Sequence, residues 1–86
     1  LLERNFRNGK KHGEEKEYYD NGVLKSLKTF DQDWQTGPYN RYDKNGSLVQ
    51  EGNYWFNKKK GEWKYYDQEE TLIKTEFYSK EGKLVE

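Results

Sequence analysis

The side chains able to do chemistry are few and scattered. The single histidine, His12, stands in Lys10-Lys11-His12, cysteine is absent, and the serines are Ser26, Ser47 and Ser79. A Ser-His-Asp or Cys-His relay needs nucleophile, imidazole and acid brought together, and no spacing here joins His12 to a serine. His12 reads as a solvated turn residue. Metal ligation would need further His or Cys, or carboxylates at calcium-loop spacing, and neither pattern occurs. Sixteen carboxylates permit an acid–base pair in principle, but nothing singles two out. No Gly-x-Gly occurs, so there is no glycine-rich phosphate loop. The expectation is a protein that is not an enzyme, with no catalytic residues, no metal site and no cofactor.

The elements that would position any site must be built without a deep aliphatic interior. Only 30% of the 86 residues are apolar, and 15 of them are Phe, Tyr or Trp. Such a chain lacks the apolar run of a membrane-spanning helix and the cysteines of a disulfide scaffold. The 16 basic and 16 acidic side chains cancel, which argues against nucleic acid as a partner, since binding it leans on a basic excess. The absence of cysteine says nothing of compartment, and localisation is left unknown. The opening Leu1-Leu2-Glu3-Arg4 does not read as a signal peptide. A chain with no methionine reads as an excised piece of something longer.

Repeats organise the chain. Gly13, Gly37 and Gly61 are 24 apart, as are Leu24, Leu48 and Leu72. Beneath this lies a period of 12: Phe6, Tyr18, Phe30, Tyr42, Tyr54, Tyr66 and Tyr78, aromatic without exception. Turn-forming residues follow each ring, at Asn8-Gly9, Asn21-Gly22, 31–36, Asn45-Gly46, Asn57-Lys58, 68–70 and Glu81-Gly82. Each 12-residue unit is therefore one strand and one turn, and the fold class expected is all-β. It is an elongated antiparallel β-meander of about seven strands in a single sheet, a single domain over 1–86. The hairpin repeats fall at 6–29, 30–53 and 54–77, with a terminal strand at 78–86.

Asn-Gly suits a two-residue type I′ turn, which would pair Tyr18 with Lys25 and Tyr42 with Val49. The same geometry at the other turns would set Phe6, Phe30 and Tyr54 over Gly13, Gly37 and Gly61, rings covering bare backbone. These six are the expected structural positions of the repeat; the alternative is that the glycines only end turns. Simple alternation places Leu24, Phe30, Leu48 and Tyr54 on one face. It places Leu27, Tyr39, Val49, Trp63, Ile73 and Phe77 on the other.

In a meander, alternate turns emerge at opposite edges. One edge collects Arg7, Lys10, Lys11, Lys58, Lys59, Lys60, Lys80 and Lys83 against Asp31, Asp33 and Glu81. The other collects Lys44 against Asp20, Asp43, Asp67, Glu69 and Glu70. A neutral chain thus becomes electrically lopsided, and Lys10, Lys11, Lys58, Lys59 and Lys60 mark a candidate basic edge. It would meet an anionic membrane surface or an acidic partner, or simply keep the edge soluble. Trp34 and Trp55, outside the repeating core positions, are candidate partner contacts. Tyr39, Trp63 and Tyr65 are expected on one face close by.

Three strings carry a family resemblance. They are Gly13-x5-Tyr19-Asp20-Asn21-Gly22-x-Leu24, Gly37-Pro38-Tyr39-x2-Tyr42-Asp43-x-Asn45-Gly46-x-Leu48 and Gly61-Glu62-Trp63-x-Tyr65-Tyr66-Asp67-x4-Leu72. Together they resemble the bacterial variant of the MORN repeat, as in the YwqK-type toxin–antitoxin antitoxins. Glu15 departs from the pattern where Tyr39 and Trp63 stand, and Glu70 where Gly22 and Gly46 stand. The resemblance implies twisted hairpin repeats without catalytic residues, used for protein contacts and, in some eukaryotic relatives, for membrane attachment. A phosphatidylinositol-4-phosphate 5-kinase label would describe repeats appended to such a kinase. The leading expectation is a non-catalytic protein-interaction module, antitoxin-like, with another protein as partner and oligomeric state unknown. The alternatives are attachment to anionic membrane through the basic turn edge, and cell-wall carbohydrate or choline binding by aromatic hairpin repeats.

Overall fold

The computed structural model describes residues 1–85, and every element in it is a strand. In chain order these are β1 (Leu2–Glu3), β2 (Phe6–Arg7), β3 (Lys10–Lys11), β4 (Gly13–Tyr18), β5 (Leu24–Asp31) and β6 (Trp34–Gln35). They continue as β7 (Gly37–Tyr42), β8 (Leu48–Trp55), β9 (Lys58–Tyr66), β10 (Leu72–Tyr78) and β11 (Leu84–Val85). The main sheet runs β1-β4-β5-β7-β8-β9-β10-β11, with β6 on β5 and a separate β2-β3 ribbon. All pairings are antiparallel and follow chain order, so the expected meander is what forms. The molecule measures 40 × 37 × 11 Å. That is too thin for two stacked sheets, whose backbones alone lie about 10 Å apart.

Two kinds of turn alternate between the edges as far as residue 71, and the last turn, 79–83, is of the longer kind on the type I′ edge. At Asn8-Gly9, Gln32-Asp33 and Phe56-Asn57 both central residues have positive φ, the signature of type I′. The Asn-Gly turns expected to be of that type are not. Gly22 and Gly46 have positive φ, while Asn21 and Asn45 do not. The Gly22 amide instead closes on the Tyr19 carbonyl at 2.9 Å, and Tyr19 N–H reaches Val23 at 2.8 Å. This longer turn carries a bulge, so Tyr18 faces Leu24 rather than Lys25 and Tyr42 faces Leu48 rather than Val49.

Further bulges overturn the expected ring-on-glycine register. Phe6 faces Lys11, Phe30 faces Gln35 and Tyr54 faces Lys59. Gly13, Gly37 and Gly61 face the next ring in the period instead, Phe30, Tyr54 and Tyr78. No ring is what a Cβ on any of the three would meet first: Gly13 would approach Asn5, Gly37 would meet Thr29, and Gly61 has open space. They serve the backbone: each has positive φ, as residues at such bulges do. Tyr39 pairs across from Gly52, two residues from Tyr54, and Tyr54 pairs across from Lys59, four residues from Trp63. Tyr54 accordingly lies beside Tyr39 and Trp63, with ring centroids 5.8 and 5.1 Å away, not on the opposite face.

The glycine that a ring does cover is Gly52. Between the pairs Glu51–Lys64 and Asn53–Lys60, Gly52 alone opposes Gly61, Glu62 and Trp63, while on its other side it faces Tyr39. Trp63 lies flat over it: a Cβ there would stand 2.2 Å from the indole. Tyr39, Tyr54 and Tyr78 surround the indole, Lys59 Nζ caps it at 4.7 Å, and its N–H donates to the Asn53 carbonyl at 3.1 Å. Trp63 is fully buried on a sheet one layer thick. Burying its roughly 250 Å² at about 25 cal/mol/Å² contributes about 6 kcal/mol at most.

The first hairpin solves the same position differently. Glu15, 48 residues before Trp63, is also buried. Arg4 Nε donates to its carboxylate at 2.8 Å, with Lys11 and Lys28 at 3.8 and 3.9 Å. Paired in this way, a buried charge is tolerable.

Gly52 and Gly61 separate steric from conformational demand. Gly52→Ala drives a methyl into the Trp63 ring and is expected to cost at least about 3 kcal/mol in urea unfolding. Gly61→Ala meets open space and only the left-handed penalty, about 1 kcal/mol.

Candidate functional site

The type I′ edge is held in register by a contact that repeats every 24 residues. Asp33 N–H donates to the Lys11 carbonyl at 3.0 Å, and its Oδ1 accepts the Lys11 amide at 2.7 Å. Asn57 does the same to Gln35, at 2.8 and 2.7 Å. Asp and Asn tolerate the positive φ this position demands. The second clamp sets Phe56 against Trp34, ring centroids 5.8 Å apart, and Phe56 also meets Trp55 at 4.7 Å. Lys60 Nζ lies 4.8 Å over the Trp55 ring.

Trp34, Trp55 and Phe56 thus form one cluster, and all three are 40–50% exposed. Phe56 was missed from sequence because it sits off the aromatic period. Its signal lay in its place: Asn8 and Gln32 hold the same turn position in the preceding repeats, and Phe56 adopts φ 47° there. A bulky residue in that conformation is an outlier, and such strain concentrates at functional positions.

The other candidates separate from this cluster. Tyr39, Trp63 and Tyr65 do share the face that carries Trp63, as expected, but Trp63 has no exposed surface to offer. Tyr65 is half-buried and donates to Glu76 Oε1 at 2.8 Å. Of the repeat positions, Phe30 lies under Lys11 Nζ at 4.8 Å, Tyr54 packs on Trp63, and Phe6 is 60% exposed.

The charge on the type I′ edge lacks local neutralisation. Among the described residues, Lys11 pairs with Glu15, but no carboxylate lies within 4.0 Å of Arg7, Lys10, Lys58, Lys59, Lys60, Lys80 or Lys83. His12 is not in a turn but between β3 and β4; its Nδ1 is shielded, lacks a hydrogen-bond partner among the described residues and lies 3.6 Å from Asp31 Oδ1. Among the described residues, no three His, Cys, Asp or Glu side chains gather as a metal-ligand set.

Several phenols are hard to ionise. Burial raises Tyr39, Tyr54 and Tyr78, and the Glu51 carboxylate accepting its hydroxyl raises Tyr66. Burial, reinforced by the hydrogen bond to Glu76, pushes Tyr65 up to about 12. The Tyr65 hydroxyl in turn is the chief cause holding Glu76 below the ordinary carboxylate value. An unfolded tyrosine loses its proton near 10.0, so the unfolded state is favoured as pH climbs past that value. Stability should fall between pH 10.0 and about 12, with a smaller fall for Tyr65→Phe, followed by urea unfolding at each pH. For Glu76 the sign reverses: its contribution is present above the ordinary carboxylate pKa and disappears as pH drops through its lowered value.

Comparison with known proteins adds a family. No curated protein and no solved structure matches the chain. The family model described as MORN repeat variant matches residues 11–32 and 35–55, half of the chain. Each matched segment contains one complete glycine-to-aromatic hairpin of the sheet, 13–30 or 37–54. With these hairpins tandem in one antiparallel sheet, the chain belongs to the MORN repeat variant family.

Proposed function

We propose that this repeat module is non-catalytic and binds another protein, in the antitoxin-like manner its sequence resemblance implies, through the type I′ edge. The observation that carries the reading is Phe56, an exposed aromatic in a left-handed turn position, clamped between Trp34 and Trp55. Partly exposed aromatics dominate protein contacts. The seven cations without a carboxylate partner among the described residues give that edge an attraction for an acidic partner surface. Nothing in the fold needs Phe at this position, because Asn8 and Gln32 make the same turn.

The same edge supports a second reading, attachment to an anionic lipid surface, since exposed Trp beside Lys suits a membrane interface.

Stability and binding should move in opposite directions in Phe56→Asn. Relief of the left-handed strain is expected to stabilise the fold by about 1 kcal/mol. Recovery of the partner from native lysate should fall about tenfold or more, and should weaken with salt for the unmodified chain. Equal recovery by Phe56→Asn and by a Trp34→Ala, Trp55→Ala double variant would remove the edge from the contact. Salt-sensitive sedimentation with phosphatidylserine vesicles, absent with phosphatidylcholine alone, would favour the lipid reading.

A further inference from the structure

The face of the sheet opposite Trp63 holds a groove of about 660 Å³, within the range of small-ligand sites. Pro38, Asn40, Asn53, Trp55, Lys60 and Glu62 line it. Gly37, Gly52 and Gly61 border it with their backbone; a Cβ on Gly52 would point to the Trp63 face instead.

Three properties define what it would hold. First, the groove crosses the middle of the sheet, where β7, β8 and β9 spend their backbone groups on one another. A strand cannot be added there, so recognition falls to side chains. Second, the charges cancel locally. Lys64 Nζ lies 3.6 Å from Glu62 Oε1, and Glu51 accepts the Tyr66 hydroxyl. With Lys60 and Lys64 against Glu51 and Glu62, the groove offers no net attraction to an ion. Third, the polar groups left unengaged are of one kind. Among the described residues, neither the Asn40 nor the Asn53 carboxamide makes a hydrogen bond through its side chain. Each offers a donor and an acceptor in one plane. Beside them stands the half-exposed Trp55 ring, with Phe56 edge-on against it and the flexible Lys60 head group over it.

We propose that this groove binds a short neutral oligosaccharide. The C–H face of one pyranose stacks on Trp55, where the electron-rich ring already attracts the Lys60 cation. The carboxamides of Asn40 and Asn53 take neighbouring hydroxyls, each able to give and accept, and Glu62 accepts a third. This goes beyond the protein-contact reading: it uses another face and a different recognition chemistry, and of the residues each reading names Trp55 and Lys60 are shared.

Titration of the ¹⁵N-labelled protein with cellobiose, N,N′-diacetylchitobiose and maltose tests it. At least one should shift the Trp55 indole and the Asn40 and Asn53 carboxamide signals together, saturating in the millimolar range typical of weak single-site binding. Asn40→Leu and Trp55→Ala should each weaken that saccharide about tenfold or more. Their remaining amide spectra report that the sheet is intact, and Lys16→Ala on the first hairpin should bind as the unmodified chain does. No saturable shift with any of the three sugars overturns the proposal, as do shifts that persist unchanged in Asn40→Leu and Trp55→Ala. Partner capture at the type I′ edge is read separately, so either proposal can fail without the other.

Discussion

A sheet one layer thick has no inside, and the contact between Trp63 and Gly52 is how this one makes an interior. The indole needs a floor as well as walls. Gly52 supplies the floor by having no side chain, and the bulge opposite it brings Trp63 back over the neighbouring strand. Tyr39, Tyr54, Tyr78 and Lys59 then close around the ring. What other small domains gain from a second layer is gained here by aromatic area laid along the sheet. The first hairpin, with Glu15 among Arg4, Lys11 and Lys28, fills the equivalent place with charge, so one repeat frame accepts two unlike cores.

The meander also sorts function by edge. Because antiparallel neighbours return by short turns, every second turn lands on the same side. The two sides differ in charge and in exposed aromatic surface. The Asn57 clamp on Gln35 shows how this becomes specific. A turn contact that repeats every 24 residues carries a non-repeating aromatic at 56 into contact with another at 34. The scaffold is periodic, and the candidate contact surface is where the period breaks.

How much of this was legible in the sequence follows from what the period encodes. Seven aromatics at intervals of 12 marked strands, turns and the assignment of turns to edges, because those depend only on counting. The face of each side chain did not follow, since one extra residue at a bulge inverts alternation and leaves no mark on the count. Tyr54 was placed opposite Trp63, yet the pairing of Tyr39 with Gly52 and of Tyr54 with Lys59 sets all three rings on one face. Gly52 escaped notice because it lies outside the 24-residue glycine series and has ordinary φ; its need is for space, visible only once the neighbouring strand is in place. The Asn-Gly pairs misled because the dipeptide suits more than one turn, and the residue flanking it, Tyr19 or Asp43, closed the longer one. Trp63 was correctly set beside Tyr39, but its enclosure depended on Lys59, from its own strand, and Tyr78, from the next, closing over the ring.

The claim that the interior is one ring on one bare backbone position is tested most directly by a double-mutant cycle between Gly52→Ala and Trp63→Val, read by urea unfolding. If the indole occupies the space a Cβ would need, the alanine is costly only while the indole is there. The account predicts that Gly52→Ala costs less than about 0.5 kcal/mol in the Trp63→Val background, a coupling of at least about 2 kcal/mol. Additive costs, with Gly52→Ala equally damaging in both backgrounds, would contradict it.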